Sequence, residues 1–591
     1  MFKEDSIKIE LSSPQLHIAN PFKNAQNIIK ILNKSQASFV LFPELCLSSY
    51  TSGDFFFETT FLKENLNALK FIINNNNFEG IYFLGMPFCF EELIYNVAVV
   101  IQKNKILGIV PKHTIPNYKE FNEKRWFQSG KTIQTKIINF LKQKVPFGNI
   151  LFINKKFDVI FGVEICQDLW TIESPSDLLV LNGAHLIFNL SASTEHIGKP
   201  KSRKMAVLEH SRKQIGGYFY TSSGISESAT DTLFSNHKIA AVLGEIIGEK
   251  DIFEQDESLV VDVFLDIIKF QRRIDTTFGD QKIGKEFPFF KSFFELKENI
   301  SYKFEKKFEE KPFISGPDLN ENLKLSHAIQ FFSITNKLSF HPDIELVVFE
   351  LTEELNDFLT FLIIIQNFNK NKNKWPEINI IVNPEKFLEK KSFLFLKKFL
   401  IEQNMNFLET NDKSKIIFSS IKKQKYNFNN QKKKTLFLEH YNLSDIAKGK
   451  ISHIQKKYDF LYNINIGISH TLMGELILFH FKNNLLEISK EIKELYHKKI
   501  NKFLTKEKII EDFILYHYLK HSFSKKKIAF LINQTFLINL EKSIQIVEEY
   551  MKIFFESQLK RQNVTPGPKI FENSLSFRTE LKLPIHFERS K

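Results

Sequence analysis

The chain has 591 residues, with 81 basic and 68 acidic side chains and a formal net charge of +13 at pH 7. That length is too great for one hydrophobic core and calls for two or three domains. Its three cysteines, Cys46, Cys89 and Cys166, exclude both a disulfide framework and a CxxC metal pattern, so a reducing cytoplasm is expected.

The opening MFKEDSIKIELSSPQ has no apolar core of signal-peptide length. No later stretch has the roughly eighteen uninterrupted apolar residues of a membrane span, and no membrane partner is expected. From the start to about residue 270, strands and helices alternate: strand IKIELSSP, helix AQNIIKILNKS, strand ASFVLFPE, helix LNALKFIINN, then strands IYFLGMPF and NVAVVIQKNKILGIVPK. This is a βα pattern of the α/β class. The tract NNNN at 74 to 77 reads as a loop. A polar, lysine-rich stretch containing EKKFEEKPFISGPDLNEN reads as a connector over 281–325, dividing a first domain, 1–280, from a second, 326–591. The second is again α/β: helix LKLSHAIQFFSITNKL, strand ELVVFEL, helix DFLTFLIIIQNF, strand INIIV and helix SFLFLKKFLIEQ.

The basic excess is dispersed. KKSFLFLKK, KKQKYNFNNQKKK and HSFSKKKIAF interleave lysine with phenylalanine, isoleucine and asparagine, and the chain holds 63 phenylalanines. These are residues of A/T-rich codons, no recognition motif accompanies them, and no nucleic-acid partner is expected. The histidines show no HxxxH or HExxH spacing, so no metal site is expected.

Three segments carry chemistry: FPELCLSSY at 42 to 50, PKHTIPNYKEFNEKRWFQSG at 111 to 130, and GVEICQDLW at 162 to 170. Each sets one reactive side chain, Glu44, Lys112 or Cys166, beside an apolar run that delivers it to a sheet edge. A lone cysteine after an apolar strand is more often an inert core residue, and an arbitrary lysine here is most often solvated. CQD, however, stands where a strand-to-helix turn would expose the sulfur and aim backbone N–H groups at an oxyanion. Glu44 ends a strand, where burying a carboxylate is costly without a partner. A base, a cation and a thiol suffice to break an amide through a thioester.

In this order, the three segments resemble the carbon-nitrogen hydrolase, or nitrilase, superfamily with its Glu-Lys-Cys triad. YKEFNEKRWFQSG, NLSASTEHIGKPKSR, SGISESATDTLFSNHKIA and RRIDTTF resemble the glutaminase domain of glutamine-dependent NAD+ synthetases. The resemblance implies an αββα sandwich, followed by a Rossmann-like α/β synthetase domain of degenerate sequence. It makes Glu44 the proton acceptor, Lys112 the oxyanion stabiliser, Cys166 the nucleophile and Glu123 an accessory carboxylate. Tyr118, Ser193 and Lys199 fall where the family holds glutamine. Gln167 stands where the family usually has an acid.

In the second domain the family's SGGxDS-type loop, which cradles the pyrophosphate of ATP, is replaced by LTEELNDFLT. Thr352, Glu353, Glu354, Asn356 and Asp357 occupy it, with glutamates in place of both glycines. TLFLEHYNLSDIAKG and ISHTLMGELI resemble later family segments, with His440, Tyr441, Asn442, Asp445 and His470 as departures. KIIEDFILYHYLKHSFSKKKI and SQLKRQNVTPGPKIFENSLSFR resemble its closing helices and tail, where Lys560, Arg561 and Lys569 could meet a dinucleotide's phosphates. The resemblance implies glutamine hydrolysis to glutamate and ammonia, and amidation of deamido-NAD+ with ATP and Mg2+, in a homo-oligomer. Two alternatives stand beside it. The chain could be an amidase with a silent synthetase-like scaffold, or a non-catalytic binding protein.

Overall fold

The computed structural model describes residues 2–584 except 231, 255–257, 300–301, 317, 372–374, 383, 385–386, 388–389, 403–404, 410–432, 452–458, 573, 577 and 579. Most of KKQKYNFNNQKKK therefore lies outside the described residues. The chain forms two compact units, Met1–Lys306 and Lys307–Lys591. The division falls within the stretch expected to be a connector, but that stretch is not a free linker throughout. Its strand Phe290–Phe293 pairs in parallel with Ile150–Asn154, and Tyr302 donates to Asp262 at 2.7 Å, so both belong to the first unit.

The first unit has the expected four layers. A nine-stranded and a seven-stranded sheet face each other. Phe39 and Phe83 from one meet Phe161 and Phe188 from the other, with the Phe83 and Phe188 ring centres 4.4 Å apart. Burying each such ring stabilises by about 1.5–3 kcal/mol. The outer face of the first sheet is covered by helices Pro21–Lys34 and Thr59–Asn75, whose Ile28, Leu32, Leu69 and Ile72 repeat at helical spacing. The Asn20 side chain caps the first of these by accepting from the Lys23 N–H. Helices Pro175–Leu181 and Lys199–Lys213 cover the second sheet through Leu179, Val180 and Val207. The asparagine tract is not wholly loop. The second helix runs through Asn75, and Asn76 then donates to the Ile72 carbonyl, closing the helix end.

The second unit is built on five parallel strands, in the spatial order Asn406–Glu409, Glu377–Val382, Leu346–Leu351, Thr435–Glu439, Phe460–Asn463. Numbered along this unit, that order is 3-2-1-4-5, a doubly wound arrangement. Its direction of winding reverses between Leu346–Leu351 and Thr435–Glu439. The helix Leu355–Lys370 is buried nearly all round from Leu355 to Ile365, as its run of apolar residues requires.

Buried histidines give this unit a pH-dependent stability. Burial pushes His480 and His517 down to about 3 and His327 to about 4. Neither ring nitrogen of His480 or His517 has a hydrogen-bond partner among the described residues. The unfolded chain takes up protons at a pKa of about 6.5, so each neutral histidine stabilises fully above that pH and loses about 1.4 kcal/mol per unit below it. For His440 burial acts downward, but the Asp357 carboxylate outweighs it and raises the group to about 9. Its contribution has the opposite sign, fully present below about 6.5 and lost as pH rises through 9. Three groups outweigh one. A urea titration read by pulse labelling of the helix Lys506–His521 should have a lower midpoint near pH 5 than near pH 7.5. An unchanged midpoint would mean that these histidines are accessible to protons in the native state.

Candidate active site

The three segments singled out in the sequence converge at one end of the facing sheets of the first unit. Strand Phe39–Leu41 is followed by Glu44, strand Lys105–Pro111 by Lys112, and strand Val159–Ile165 by Cys166. Glu44 and Lys112 are fully buried, and Cys166 is 6% exposed. Cys166 has φ 48 and opens the turn Cys166–Trp170. A non-glycine residue in the left-handed region is strained, and here the strain points the thiol out of the strand at a sharp elbow. Leu45, after Glu44, is also left-handed at φ 50. Its backbone nitrogen would lie 2.2 Å from a Cβ on Gly85, so only glycine lets the two chains approach.

Glu44 is held on both oxygens. Oε1 accepts from Lys112 Nζ at 2.6 Å and from Asn96 Nδ2 at 2.7 Å, while Oε2 accepts from the Ala192 N–H at 2.9 Å. Lys112 Nζ also donates to both oxygens of Glu123, each at 2.8 Å, and the Tyr50 hydroxyl donates to Glu123 Oε1 at 2.9 Å. The ammonium thus lies between two carboxylates, with its donors directed at them. Asp168 joins the thiol elbow to the lysine segment. Its carboxylate accepts from the Ile165 N–H at 3.1 Å, the Thr114 N–H at 2.8 Å and, more weakly, the His113 N–H at 3.4 Å.

The charges account for the protonation states. Burial raises the Cys166 thiol to about 12, and the Glu44 carboxylate adds to this more than Lys112 relieves it. The thiol is therefore protonated at neutral pH, and sulfur attack must be coupled to proton removal. Burial alone would lower Lys112, but Glu123 and Glu44 raise it above its usual value. Glu123 is pushed up to about 7, chiefly by burial, with Lys112 opposing and Glu44 adding.

The residues assigned to glutamine lie around this centre in different states. The Tyr118 side chain is 48% exposed, and its hydroxyl donates to Gln167 Oε1 at 2.9 Å. Lys199 is half-buried, its ammonium 4.1 Å from the centre of the Trp170 ring, and desolvation lowers its pKa. Ser193 is buried, and its hydroxyl accepts from Arg203 at 3.1 Å. Asn96, Tyr50, Asp168 and Arg203 escaped sequence reasoning. The one local signal was Asn96, a polar residue inside the apolar run IYNVAVVI.

His237, Glu249 and Asp251 bring possible ligand atoms within 4.8 Å of one another. Arg203 Nη1 lies 2.9 Å from His237 Nδ1 and can only donate, so Nδ1 accepts and the proton sits on Nε2, facing Glu249 Oε1 at 3.2 Å. With that tautomer Arg203, His237 and Glu249 form a hydrogen-bonded chain, and the imidazole presents no lone pair to an ion.

In the second unit, the altered loop and His440 meet at the reversal point of the sheet. Asp357 accepts from the Thr352 N–H at 3.1 Å and from the Thr352 hydroxyl, and lies 2.9 Å from His440 Nδ1. The Glu354 N–H is taken by Thr352 Oγ1 at 3.1 Å. Glu353 pairs with Lys499 at 2.9 Å, and Asn356 donates to Asp445 at 3.0 Å. The tail departs from expectation at Arg561. This side chain is buried, donates to the Ala447 carbonyl and Gln558 Oε1, each at 2.9 Å, and stacks on Phe554, so it does not face a dinucleotide. Lys569 is paired with Glu580 at 2.5 Å, and Lys560 is exposed.

Residues 11–222 match the family model Carbon-nitrogen hydrolase. The chain is 31% identical over 247 residues to a glutamine-dependent NAD(+) synthetase of Thermotoga maritima, covering 41% of this chain and 39% of that protein. It is 26% identical over 288 residues to the enzyme of the same name from Mycobacterium leprae, covering 48% and 42%. The chain thus spans about two-fifths of the length of these curated relatives. A solved glutamine-dependent NAD(+) synthetase from Cytophaga hutchinsonii aligns with 98% of this chain and 97% of its own, at 13% identity and a TM-score of 0.40. Among the described residues no helix is long and apolar enough to cross a membrane. Over residues 11–222 the first unit is thus similar to carbon-nitrogen hydrolases, and over its matched span to the curated glutamine-dependent NAD(+) synthetases.

Proposed function

We propose that the first unit hydrolyses glutamine to glutamate and ammonia, and that the chain is a nitrogen-supplying member of the glutamine-dependent NAD+ synthetase group, assembled as a homo-oligomer. The supporting observation is the buried cluster of Glu44, Lys112 and Glu123 beside a protonated thiol on a strained elbow. Glu44 takes the Cys166 proton as the sulfur attacks the side-chain carbonyl of glutamine, and the carbonyl electrons move to oxygen. Lys112 and the N–H groups of the Cys166–Trp170 turn offset that negative charge. Collapse expels the amide nitrogen, which leaves as ammonia with the proton held by Glu44. Water, deprotonated by Glu44, then cleaves the thioester, releasing glutamate and restoring the thiol. Tyr118, Ser193 and Lys199 would hold the two ends of the amino acid.

ATP, with its Mg2+, does not fit the loop of the second unit. Its N–H groups at Thr352 and Glu354 are already taken by the loop's own side chains, and its Glu353 and Asp357 carboxylates are committed to Lys499 and His440, so the loop offers no backbone cradle to a pyrophosphate. No reaction step is assigned to this unit. The same observation favours a second reading, an amidase whose second unit is a scaffold.

One experiment separates the two. Purified protein is given deamido-NAD+, ATP and Mg2+ with either glutamine or ammonium, and NAD+ is measured by mass spectrometry together with glutamate. Glutamate without NAD+ from either nitrogen source is the expected result, and it selects the scaffold reading. NAD+ from either source would restore the full synthetase activity. Absence of glutamate would overturn the proposal for the first unit.

A further inference from the structure

Arg203 has a side chain with no exposed surface, one helical turn beyond Lys199 in the helix Lys199–Lys213. Its guanidinium joins segments far apart in sequence. Nη2 lies 3.1 Å from Ser193 Oγ and 2.7 Å from Glu195 Oε1, and Nη1 lies 2.9 Å from His237 Nδ1. The group also stands 5.8 Å from the centre of the Tyr220 ring. Glu195 in turn accepts from the Ser235 hydroxyl, and His237 is tied through Glu249 to Lys204 at 2.5 Å. A buried cation with a counterion and directed hydrogen bonds resists displacement, because moving it strands charge in the interior.

Guanidinium can only donate. The Ser193 oxygen must therefore accept, which leaves its single O–H proton free to point at another acceptor. The Ser193 backbone N–H is already fixed on Ser222 Oγ at 3.0 Å. A serine in this state offers one donor, while Lys199 offers an ammonium standing over the Trp170 ring. Both groups suit oxygen acceptors, and the lysine suits an anion.

We propose that Arg203 is a positioning residue for substrate binding: it fixes Ser193 as a hydrogen-bond donor and anchors the helix turn carrying Lys199, so that the site favours an amide bearing a carboxylate over a neutral amide. This rests on the reading of the first unit as a glutaminase. Arg203 touches neither the thiol nor its base, so its removal should appear in KM more than in kcat.

The test compares wild type with Arg203→Met, Arg203→Lys, Ser193→Ala and the double variant Arg203→Met with Ser193→Ala, using glutamine and butyramide as substrates. Arg203→Met should raise KM for glutamine about tenfold, with a smaller fall in kcat and a smaller loss for butyramide. Arg203→Lys keeps the charge opposite Glu195 and so preserves folding if Arg203→Met does not. One ammonium nitrogen lacks the fork by which Nη1 reaches His237 while Nη2 reaches Ser193 and Glu195, so an intermediate KM is expected. The double variant should be no worse than the poorer single one, because the serine acts through the arginine. Additive losses, or an equal loss for butyramide, would overturn the proposal while leaving the glutaminase reading intact. A wild-type protein inactive toward glutamine would overturn both.

Discussion

Cys166→Ala is expected to lower ammonia release from glutamine by at least about a thousandfold, since no other group can form the thioester. The same change should abolish labelling by a glutamine-like electrophile. Cys46→Ala and Cys89→Ala should retain both activities. The three thiols differ in ways that decide this. Cys46 is fully buried with its sulfur 3.7 Å from the Gly85 carbonyl oxygen, and burial raises it to about 12. Cys89 is exposed. Cys166 also has a raised pKa, but it alone combines the strained elbow with Glu44 and Lys112 as its charged neighbours. Its reactivity comes from a base poised to remove the proton rather than from a preformed thiolate. Equal labelling of all three cysteines would overturn the assignment.

The triad was legible because each member ends an apolar run, and a charged or nucleophilic residue there stands out against its own segment. Its supports were not. Arg203 reads as one cation in the basic stretch KPKSRK, and only the fold brings Ser193, Glu195 and His237 around it. Asp168 looks like an ordinary helix-start acid, although its carboxylate bridges to the residues after Lys112. The same limit operates in the second unit. The alternation of strands and helices was readable, and so was the loss of glycine at the reversal point of the sheet. The fates of the replacing carboxylates were not. Lys499 lies on Glu353 and His440 on Asp357 from distant segments, and a sequence pattern carries no such pairing. Arg561 shows the opposite error, a cation in a basic tail that folds inward onto Phe554 and a carbonyl.

Lys112→Met should lower kcat for glutamine by about 10²–10³ with little change in KM, the pattern of a group acting mainly in the transition state. Two causes are mixed in that loss. The lysine can offset charge on the developing oxyanion, and it also donates to Glu44 and Glu123 side by side in a buried site. Without it, two carboxylates share one low-dielectric space, and a proton is taken up by one of them, so that Glu44 is partly lost as a base. Breaking the buried ion pair should also destabilise the unit by about 3–5 kcal/mol. Adding Glu123→Gln separates the causes. In the double variant Lys112→Met with Glu123→Gln, one carboxylate remains and much of the stability should return, as measured by urea unfolding. If turnover stays low, the missing contribution is the cation at the oxyanion, as the triad reading requires. If turnover returns with stability, Lys112 serves only to neutralise Glu123, and the oxyanion must be stabilised by the backbone N–H groups of the Cys166–Trp170 turn.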